Sequence, residues 1–336
     1  MTKPTSVARL AALAALLGLS ALAPSLARAC ACGCGIFDIG DGTLMPADSP
    51  SGFTGWFRYS SMNQNRNWEF GSAAPAADNG DKRITTNFYT FGGQYMINHR
   101  WTIMAELPIY DRTFVSTDDG TVAGPAGSLY AGHITSLGDL VLTGLYTGFS
   151  PDMSTGVSLG VKLPTGAYAS PLGPLGGAEF DRDTLPGTGS TDLVFGGYHV
   201  GRIGAAGRIG YFVQAKYQVA VATRDSYRPG DEFDAAIGAN YNLGAFGVIS
   251  RIAPGLQLIN SLRGHDTGDN AAPPNSGYER LLIAPGLEVR IKRVRLYADV
   301  ALPIYQHVNS VLPGAADSAG QLVAPALFKV QASYNF

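Results

Sequence analysis

Apolar and polar residues alternate along segments of about 10–14 residues from Ser51 onward, and this period of two constrains the fold more than any other feature. In the fifth such segment, residues 157–163, Val, Leu, Val and Leu alternate with Ser, Gly and Lys. Successive side chains of a β-strand point to opposite faces, and a tilted strand of about 9–11 residues crosses a bilayer. The alternation therefore predicts strands with one apolar and one polar face, long enough to span a membrane.

Twelve such segments occur, and their connections differ systematically in length. Connections after odd-numbered segments are long, whereas most of those after even-numbered segments are short, as at Asn98–Arg100 and Lys292–Arg293. Long loops at one rim and tight turns at the other are typical of outer-membrane barrels. We therefore predict an all-β fold, a closed antiparallel transmembrane β-barrel of about twelve strands over residues 51–336. The predicted segments are residues 51–62, 84–97, 101–115, 137–149, 155–166, 189–200, 211–222, 231–243, 248–262, 278–291, 294–306 and 323–336.

Composition excludes two other classes of protein. The chain has no uninterrupted run of 18 apolar residues, which excludes a bundle of transmembrane helices. Charged residues make up 15% of the chain, against about 25% in an average soluble domain, and the formal net charge is −2. This balance does not favour a nucleic-acid partner, whose phosphates require clustered basic residues.

Residues 1–29 have the composition of a secretory signal peptide. Lys3 and Arg9 supply positive charge, and residues 10–23 form an apolar stretch that is too short to span a bilayer. Ala27 and Ala29 then place small residues before a cleavage site. Together with the barrel pattern, this leader predicts export to the cell outer membrane of a Gram-negative envelope.

All three cysteines, Cys30, Cys32 and Cys34, directly follow the predicted cleavage site. Thiolates are the preferred ligands of soft cations such as Cu(I) and also bind Zn²⁺, whereas an oxidising periplasm favours disulfides. A soft-metal site, a disulfide and acylation of Cys30 are the alternative interpretations. Residues 30–50 are expected to form either a periplasmic segment or a plug inside the barrel. Apart from a metal at the cysteines, no cofactor is expected.

The last predicted strand ends on an aromatic residue. Tyr334 and Phe336 share the apolar face of this strand with Phe328, Val330 and Ala332. A terminal aromatic on an amphipathic strand resembles the signal that the outer-membrane barrel assembly machinery reads. We therefore expect this machinery, together with outer-membrane lipid, among the partners of the protein.

The charged residues of the strands are candidates for lining the lumen, because the apolar faces must meet lipid. Both signs of charge occur among them. They are expected either to form ion pairs that rigidify the wall or to line the constriction of a polar path. The nine lumen-lining candidates are Arg58, Glu106, Asp139, Lys162, Asp192, Lys216, Asp234, Asp299 and Lys329.

Three short motifs carry a resemblance to a known family. They are Leu-Gly-Asp-Leu at 137–140, Val-Lys-Leu-Pro-Thr-Gly at 161–166 and Gly-Thr-Gly-Ser-Thr-Asp-Leu at 187–193. This stretch resembles the family of outer-membrane proteins named for the meta pathway of phenol degradation. The resemblance implies a barrel that passes hydrophobic or aromatic solutes, and it does not extend to the cysteine-rich N-terminus.

An enzyme is the competing class, since some barrels carry a hydrolase triad on their lipid-facing surface. Such a site needs a histidine within hydrogen-bond reach of a serine. The histidines fall in predicted loops or at strand ends, and none has a serine two residues away on an outward strand face. We therefore expect no enzymatic activity. The five histidines are His99, His133, His199, His265 and His307.

Taken together, these features predict an outer-membrane channel or transporter for small-molecule solutes, hydrophobic or aromatic ones among them. Two alternatives stay open. One is a barrel that captures or relays a soft cation through the cysteine cluster, and the other is a non-conducting structural or assembly barrel.

Overall fold

The computed structural model describes residues 38–40, 52–117, 124–168, 182–204, 206–269, 271, 275–310 and 320–336. These residues form almost only β-strands, with two short 3₁₀ turns at Ala76–Asp78 and Arg182–Thr184. Among them there is no helix that is long and apolar enough to cross a bilayer.

The strands of the described residues follow one another along the chain with few interruptions. In chain order they are β1 (Gly52–Gln64), β2 (Arg66–Glu69), β3 (Ser72–Ala73), β4 (Asp81–Asn98), β5 (Trp101–Thr117), β6 (Leu129–Leu137), β7 (Leu140–Tyr146), β8 (Thr155–Leu163), β9 (Thr191–Ile203), β10 (Ile209–Ala222), β11 (Glu232–Tyr241), β12 (Gly244–Phe246), β13 (Ile249–Arg263), β14 (Tyr278–Ile291), β15 (Val294–Val308), β16 (Gln321–Val323) and β17 (Leu327–Asn335).

The main sheet closes on itself. Each large strand pairs antiparallel with the next one, β11 pairs directly with β13, and the first strand β1 pairs with the last strand β17 from Thr54↔Asn335 to Met62↔Leu327. The strands β6 and β7 occupy one position in the wall, because both pair with β5. The result is the predicted closed antiparallel barrel of twelve strands.

The break between β6 and β7 corrects the predicted fourth segment. Residues 129–136 were expected in a loop and instead form most of β6, which pairs with the upper half of β5. The partner of β5 changes from β6 to β7 at Pro108. The Pro108 carbonyl accepts a hydrogen bond from the Gly138 backbone N–H at 2.8 Å. Proline has no N–H to offer to a neighbouring strand, so the ladder is interrupted where the two half-strands meet.

Connections of two lengths segregate to the two rims of the barrel. The long ones follow β1, β5, β8, β10, β13 and β15, and the short ones include the two-residue turns at 99–100 and 292–293. Short turns face the periplasm in bacterial barrels of this kind, so the long connections lie on the outer side. There β2, β3 and β16 form a small separate sheet, from which Trp68 packs against the buried Tyr278, Val308 and Val323.

The distribution of apolar residues is the reverse of that in a water-soluble protein. Large apolar side chains such as Phe91, Leu159, Ile237 and Val330 are half or more exposed on the outward faces. Arginine, lysine, aspartate and glutamine side chains are instead buried on the inward faces. An exposed belt of this kind needs lipid around it, so the wall spans a membrane.

We predict that an arginine in the middle of this belt destabilises the barrel far more than an arginine in a turn. Leu159 lies at the centre of β8 and is 56% exposed, whereas Val248 is 74% exposed between β12 and β13. Leu159→Arg is expected to lower the free energy of unfolding by about 2–4 kcal/mol, because the charge loses its hydration at the bilayer midplane. Val248→Arg is the control, with an expected loss of about 0–1 kcal/mol. Urea unfolding in lipid vesicles measures both, and equal losses would contradict the belt.

Candidate functional site: the barrel lumen

The nine charged residues predicted to line the lumen all lie at inward positions of the wall or next to it. Seven are buried, and Glu106 and Lys216 are partly buried. They fall into small groups in which each side chain contacts a charge of the opposite sign.

The first group surrounds Lys162 of β8. Its Nζ lies 2.8 Å from Oδ2 of Asp192 and 3.3 Å from Oδ2 of Asp139. Both carboxylates have further donors: Ser190 Oγ donates to Asp192 at 2.5 Å, and the Thr188 backbone N–H donates to Asp139 at 3.0 Å. The three charges are therefore held by hydrogen bonds from the segment that leads into β9. These residues come from the motifs that carry the family resemblance.

A second group lies across the lumen between β1, β5, β10 and β11. Arg58 Nη2 is 3.5 Å from Oε1 of Glu106, and Lys216 Nζ is 3.4 Å from Oδ2 of Asp234. The register places Lys216 directly opposite Asp234 on the neighbouring strand, so this pair follows from strand alignment.

A third group joins β13, β15 and β17. Lys329 Nζ lies 3.3 Å from Oδ2 of Asp299, and the same oxygen accepts hydrogen bonds from Gln257 Nε2 at 3.1 Å and Tyr297 OH at 2.9 Å. Lys329 and Asp299 face each other in the β15–β17 ladder. The aspartate therefore has several donors where water is scarce, which offsets the cost of burying its charge.

The segment Asp38–Gly40 lies inside the barrel. Asp38 Oδ1 accepts a hydrogen bond from Arg58 Nη2, and Asp38 Oδ2 is 3.9 Å from Lys216 Nζ. The backbone also has partners across the lumen. Lys329 Nζ donates to the Ile39 carbonyl at 3.2 Å, and the Gly40 N–H donates to Oε1 of Gln214 at 3.0 Å.

Gly40 passes so close to the wall that only glycine fits. Its φ is +94°, a conformation that favours glycine, and a Cβ at this position would collide with Oε1 of Gln257. Gln257 is itself held by hydrogen bonds to Tyr297 and Asp299, so it is not free to give way.

Two cavities inside the barrel both have Asp38 and Lys216 in their lining. One has a volume of about 150 Å³ and is lined partly by Phe88, Tyr110 and Leu185. The other has a volume of about 110 Å³. Both are lined by charged as well as apolar side chains. The lining residues that they share are Asp38, Glu106, Val141, Lys216 and Gln218.

The larger cavity is bounded on its outer side by loop residues. Tyr227 OH donates to Oδ2 of Asp266 at 2.8 Å, and the Gly230 N–H donates to Oδ1 at 2.7 Å. Burial raises the pKa of the Tyr227 phenol well above its ordinary value, so the phenol stays protonated and able to donate. The guanidinium of Arg182 stacks on the rings of Tyr168 and Tyr227, which brings this loop over the lumen.

An arginine cluster near the periplasmic rim was not among the predicted residues. Glu288 is 1% exposed and pairs with Arg251, Arg290 and Arg295 at 3.0, 2.7 and 2.9 Å. The alternation in β13, β14 and β15 puts all four residues on the inward face. The same period-two pattern therefore predicts that these residues face the lumen. Which residues meet across three strands depends on their register, which the alternation does not specify.

His133 does not lie where the sequence predicts it. It was expected in a loop, but it lies in β6, where it faces outward and its Nε2 is 2.5 Å from Oδ1 of Asp111. Thr135 also donates to that aspartate, at 3.2 Å. Asp111 and His133 thus form a polar contact on the outer surface.

The proposed metal ligands Cys30, Cys32 and Cys34 lie outside the described residues. Within those residues, no group of three or more His, Cys, Asp or Glu side chains is arranged to hold a metal ion. The soft-metal interpretation stays a prediction from the sequence.

No protein-family model matches the chain, and no curated protein matches it, so membership of the meta-pathway family stays a prediction. Solved structures do match. The crystal structure of the COG4313 outer membrane channel from Pseudomonas putida F1 aligns with a TM-score of 0.61 at 13% identity, over 89% of this chain and 99% of that one. The β domain of the Bordetella autotransporter BrkA aligns at 0.50 and 10% identity, over 85% and 100%. The shared feature is the fold, a closed outer-membrane barrel.

The CymD monoaromatic hydrocarbon channel aligns with a TM-score of 0.43 at 11% identity, over 94% of this chain and 99% of that one, a similarity too low to support an argument. The expectation that the protein has no enzymatic activity stays a prediction from the sequence. With its closed wall and exposed apolar belt, the chain is an outer-membrane β-barrel.

We predict that Lys162 stabilises the barrel by separating two buried carboxylates. Lys162→Met is expected to cost about 3–5 kcal/mol of unfolding free energy, because Asp139 and Asp192 then face each other without a counter-charge. Replacing Asp192 by Asn in the same chain is expected to recover part of the loss.

The control for this prediction is an exposed ion pair. Arg228 and Asp231 are 3.5 Å apart with both side chains at least 40% exposed, so Arg228→Met is expected to cost at most about 1 kcal/mol. Chemical unfolding in the same detergent measures all three variants. A loss for Lys162→Met no larger than that for Arg228→Met would contradict the prediction.

Proposed function

We propose that the protein is an outer-membrane channel for small solutes, hydrophobic and aromatic compounds among them. The observation that carries this proposal is the pair of cavities inside the closed wall, which share five lining residues, Asp38 among them. A solute that crosses the barrel would pass from one cavity to the other beside Asp38. The fold shared with a solved outer-membrane channel supports the proposal.

The lining of the larger cavity supports a solute with apolar character. Phe88, Pro108, Tyr110 and Leu185 present apolar surface to it, next to charged side chains that already have partners. Paired charges bind water less strongly than free ones, so an apolar solute competes more easily for the space between them. Passage would be passive and would need no cofactor.

The segment Asp38–Gly40 is the proposed plug of this channel at rest. Of the two alternatives for residues 30–50, its contacts with β1, β10 and β17 favour a plug over a periplasmic extension. The polar contacts are made by side chains of the wall, and Ile39 adds a buried apolar contact. The segment forms no strand pairing with the wall among the described residues, so the plug can leave without unfolding the barrel.

Export and assembly complete the proposal. Residues 1–29 would direct export, and the outward Tyr334 and Phe336 would present the aromatic signal for barrel assembly. The packing of Phe336 against Phe53, with ring centroids 5.4 Å apart, adds a local role at the seam between the first and last strands.

We predict that a methyl group on Gly40 opens the channel. Gly40→Ala forces the segment away from Gln257 and out of its positive-φ conformation, while no wall residue changes. The single-channel conductance in planar bilayers is therefore expected to rise at least several-fold over that of the unsubstituted protein.

The matched control is Gly71→Ala, because a Cβ there would meet only His307 Nδ1 at 3.9 Å, an ordinary contact. This variant is expected to conduct like the parent. If the parent and Gly40→Ala are both silent in bilayers while folded, the barrel is a non-conducting structural protein, and the channel proposal fails.

A further inference from the structure

The carboxylate of Asp38 is bound in the lumen as the carboxylate of a ligand would be. One oxygen accepts a hydrogen bond from Arg58 on β1, and the other faces Lys216 on β10 at 3.9 Å. Arg58 is 2% exposed, and its Nε has no hydrogen-bond partner within the described part of the chain. The Asp38 side chain remains 41% exposed and lines both cavities, as does Lys216, whereas Arg58 lines the larger one, so a solute in the larger cavity can reach both cations.

An apolar niche lies directly beside this carboxylate site. The side chain of Ile39 is fully buried there in a cluster that includes Phe88, Tyr198 and Phe212. The niche holds a branched four-carbon group within a cluster that is partly aromatic. The two adjacent residues Asp38 and Ile39 together present a carboxylate next to a compact apolar body.

The charges of the wall explain why this segment is displaceable. Arg58 pairs with Glu106, and Lys216 pairs with Asp234, so these four wall residues are neutral as a set. Asp38 adds one negative charge and must share cations that already have partners. An interaction of this kind is weak between separate molecules. It persists here because Asp38 belongs to the same chain as the barrel, which gives its carboxylate an effective concentration of roughly millimolar.

We propose that Arg58, Lys216 and the adjoining niche form a binding site for small apolar carboxylates, which Asp38 and Ile39 occupy as a built-in competitor. The proposal rests on the channel function and names the class of solute that the lumen selects. A solute such as benzoate satisfies both the cations and the niche. Its uncharged isostere benzamide satisfies only the niche and leaves the cations with the partners they already have.

The first test weakens the competitor and leaves the site intact. Asp38→Asn keeps the size of the side chain but removes its charge. Isothermal titration calorimetry of the detergent-solubilised full-length chain at pH 7 is expected to show benzoate binding at least about tenfold more tightly to this variant than to the parent, because a charge-assisted hydrogen bond no longer has to be broken. Benzamide has to displace the same segment, so its affinity is expected to rise as well, while benzoate binds more tightly than benzamide to the variant.

The second test removes one of the two cations. Lys216→Met combined with Asp234→Asn deletes a facing pair together, so that no uncompensated charge is left in the wall. Introduced into the Asp38→Asn chain, this change is expected to reduce the preference for benzoate over benzamide several-fold, with Arg58 left to bind the carboxylate. Arg228→Met, at an exposed loop position, is the control and is expected to leave the preference unchanged.

Equal affinities for benzoate and benzamide in the Asp38→Asn chain would overturn the proposed site, and so would a benzoate preference that is unchanged by the loss of Lys216. These outcomes are distinct from failure of the channel. A barrel that binds benzoate selectively but conducts no ions after Gly40→Ala would retain the site and lose the transport function. A conducting barrel without the preference would do the reverse.

Discussion

The requirement that every backbone amide in lipid has a partner inside the protein determines this structure. An open sheet edge would leave a row of N–H and C=O groups without water, at a cost of several kcal/mol for each group. The pairings of β1 with β17 and of β11 with β13 remove both edges. Closure then assigns the two faces of every strand, apolar to the hydrocarbon and polar to the lumen. The charged interior is therefore a consequence of closing the sheet into a barrel in lipid.

A charged interior in a narrow barrel has to be compensated, and the lumen shows how this is done. Lys162 forms ion pairs with two aspartates, whereas Glu288 forms ion pairs with three arginines, so the groups are not simple one-to-one pairs. Their excess charges have opposite signs at different places along the lumen. This uneven distribution allows a peptide segment with one carboxylate, or a small anion, to find a favourable position at one level of the lumen and not at another.

Much of the fold was predictable from the sequence, because the period-two pattern is local. The large barrel strands and the division of the connections into long and short ones follow from it. The pattern failed at Leu129–Leu137, where outward positions include His133 and Thr135, since this half-strand rises beyond the apolar belt. The inward positions of the nine charged residues were also predictable. The partners of Glu288 and the contact of Asp38 with Arg58 were not, because they depend on strand register and on a segment distant in sequence.

The seam between the first and last strands has a consequence for how the protein is made. Residues 52–64 (β1) emerge early in synthesis. The edge of β1 that faces β17 stays unpaired until residues 327–335 have been made. Throughout that interval the chain carries an unpaired, apolar-faced ribbon, which is the form of a polypeptide most prone to aggregate. Closure of the barrel is therefore the final step of folding, because β17 is the last strand in chain order and the only partner for the free edge of β1 among the described strands.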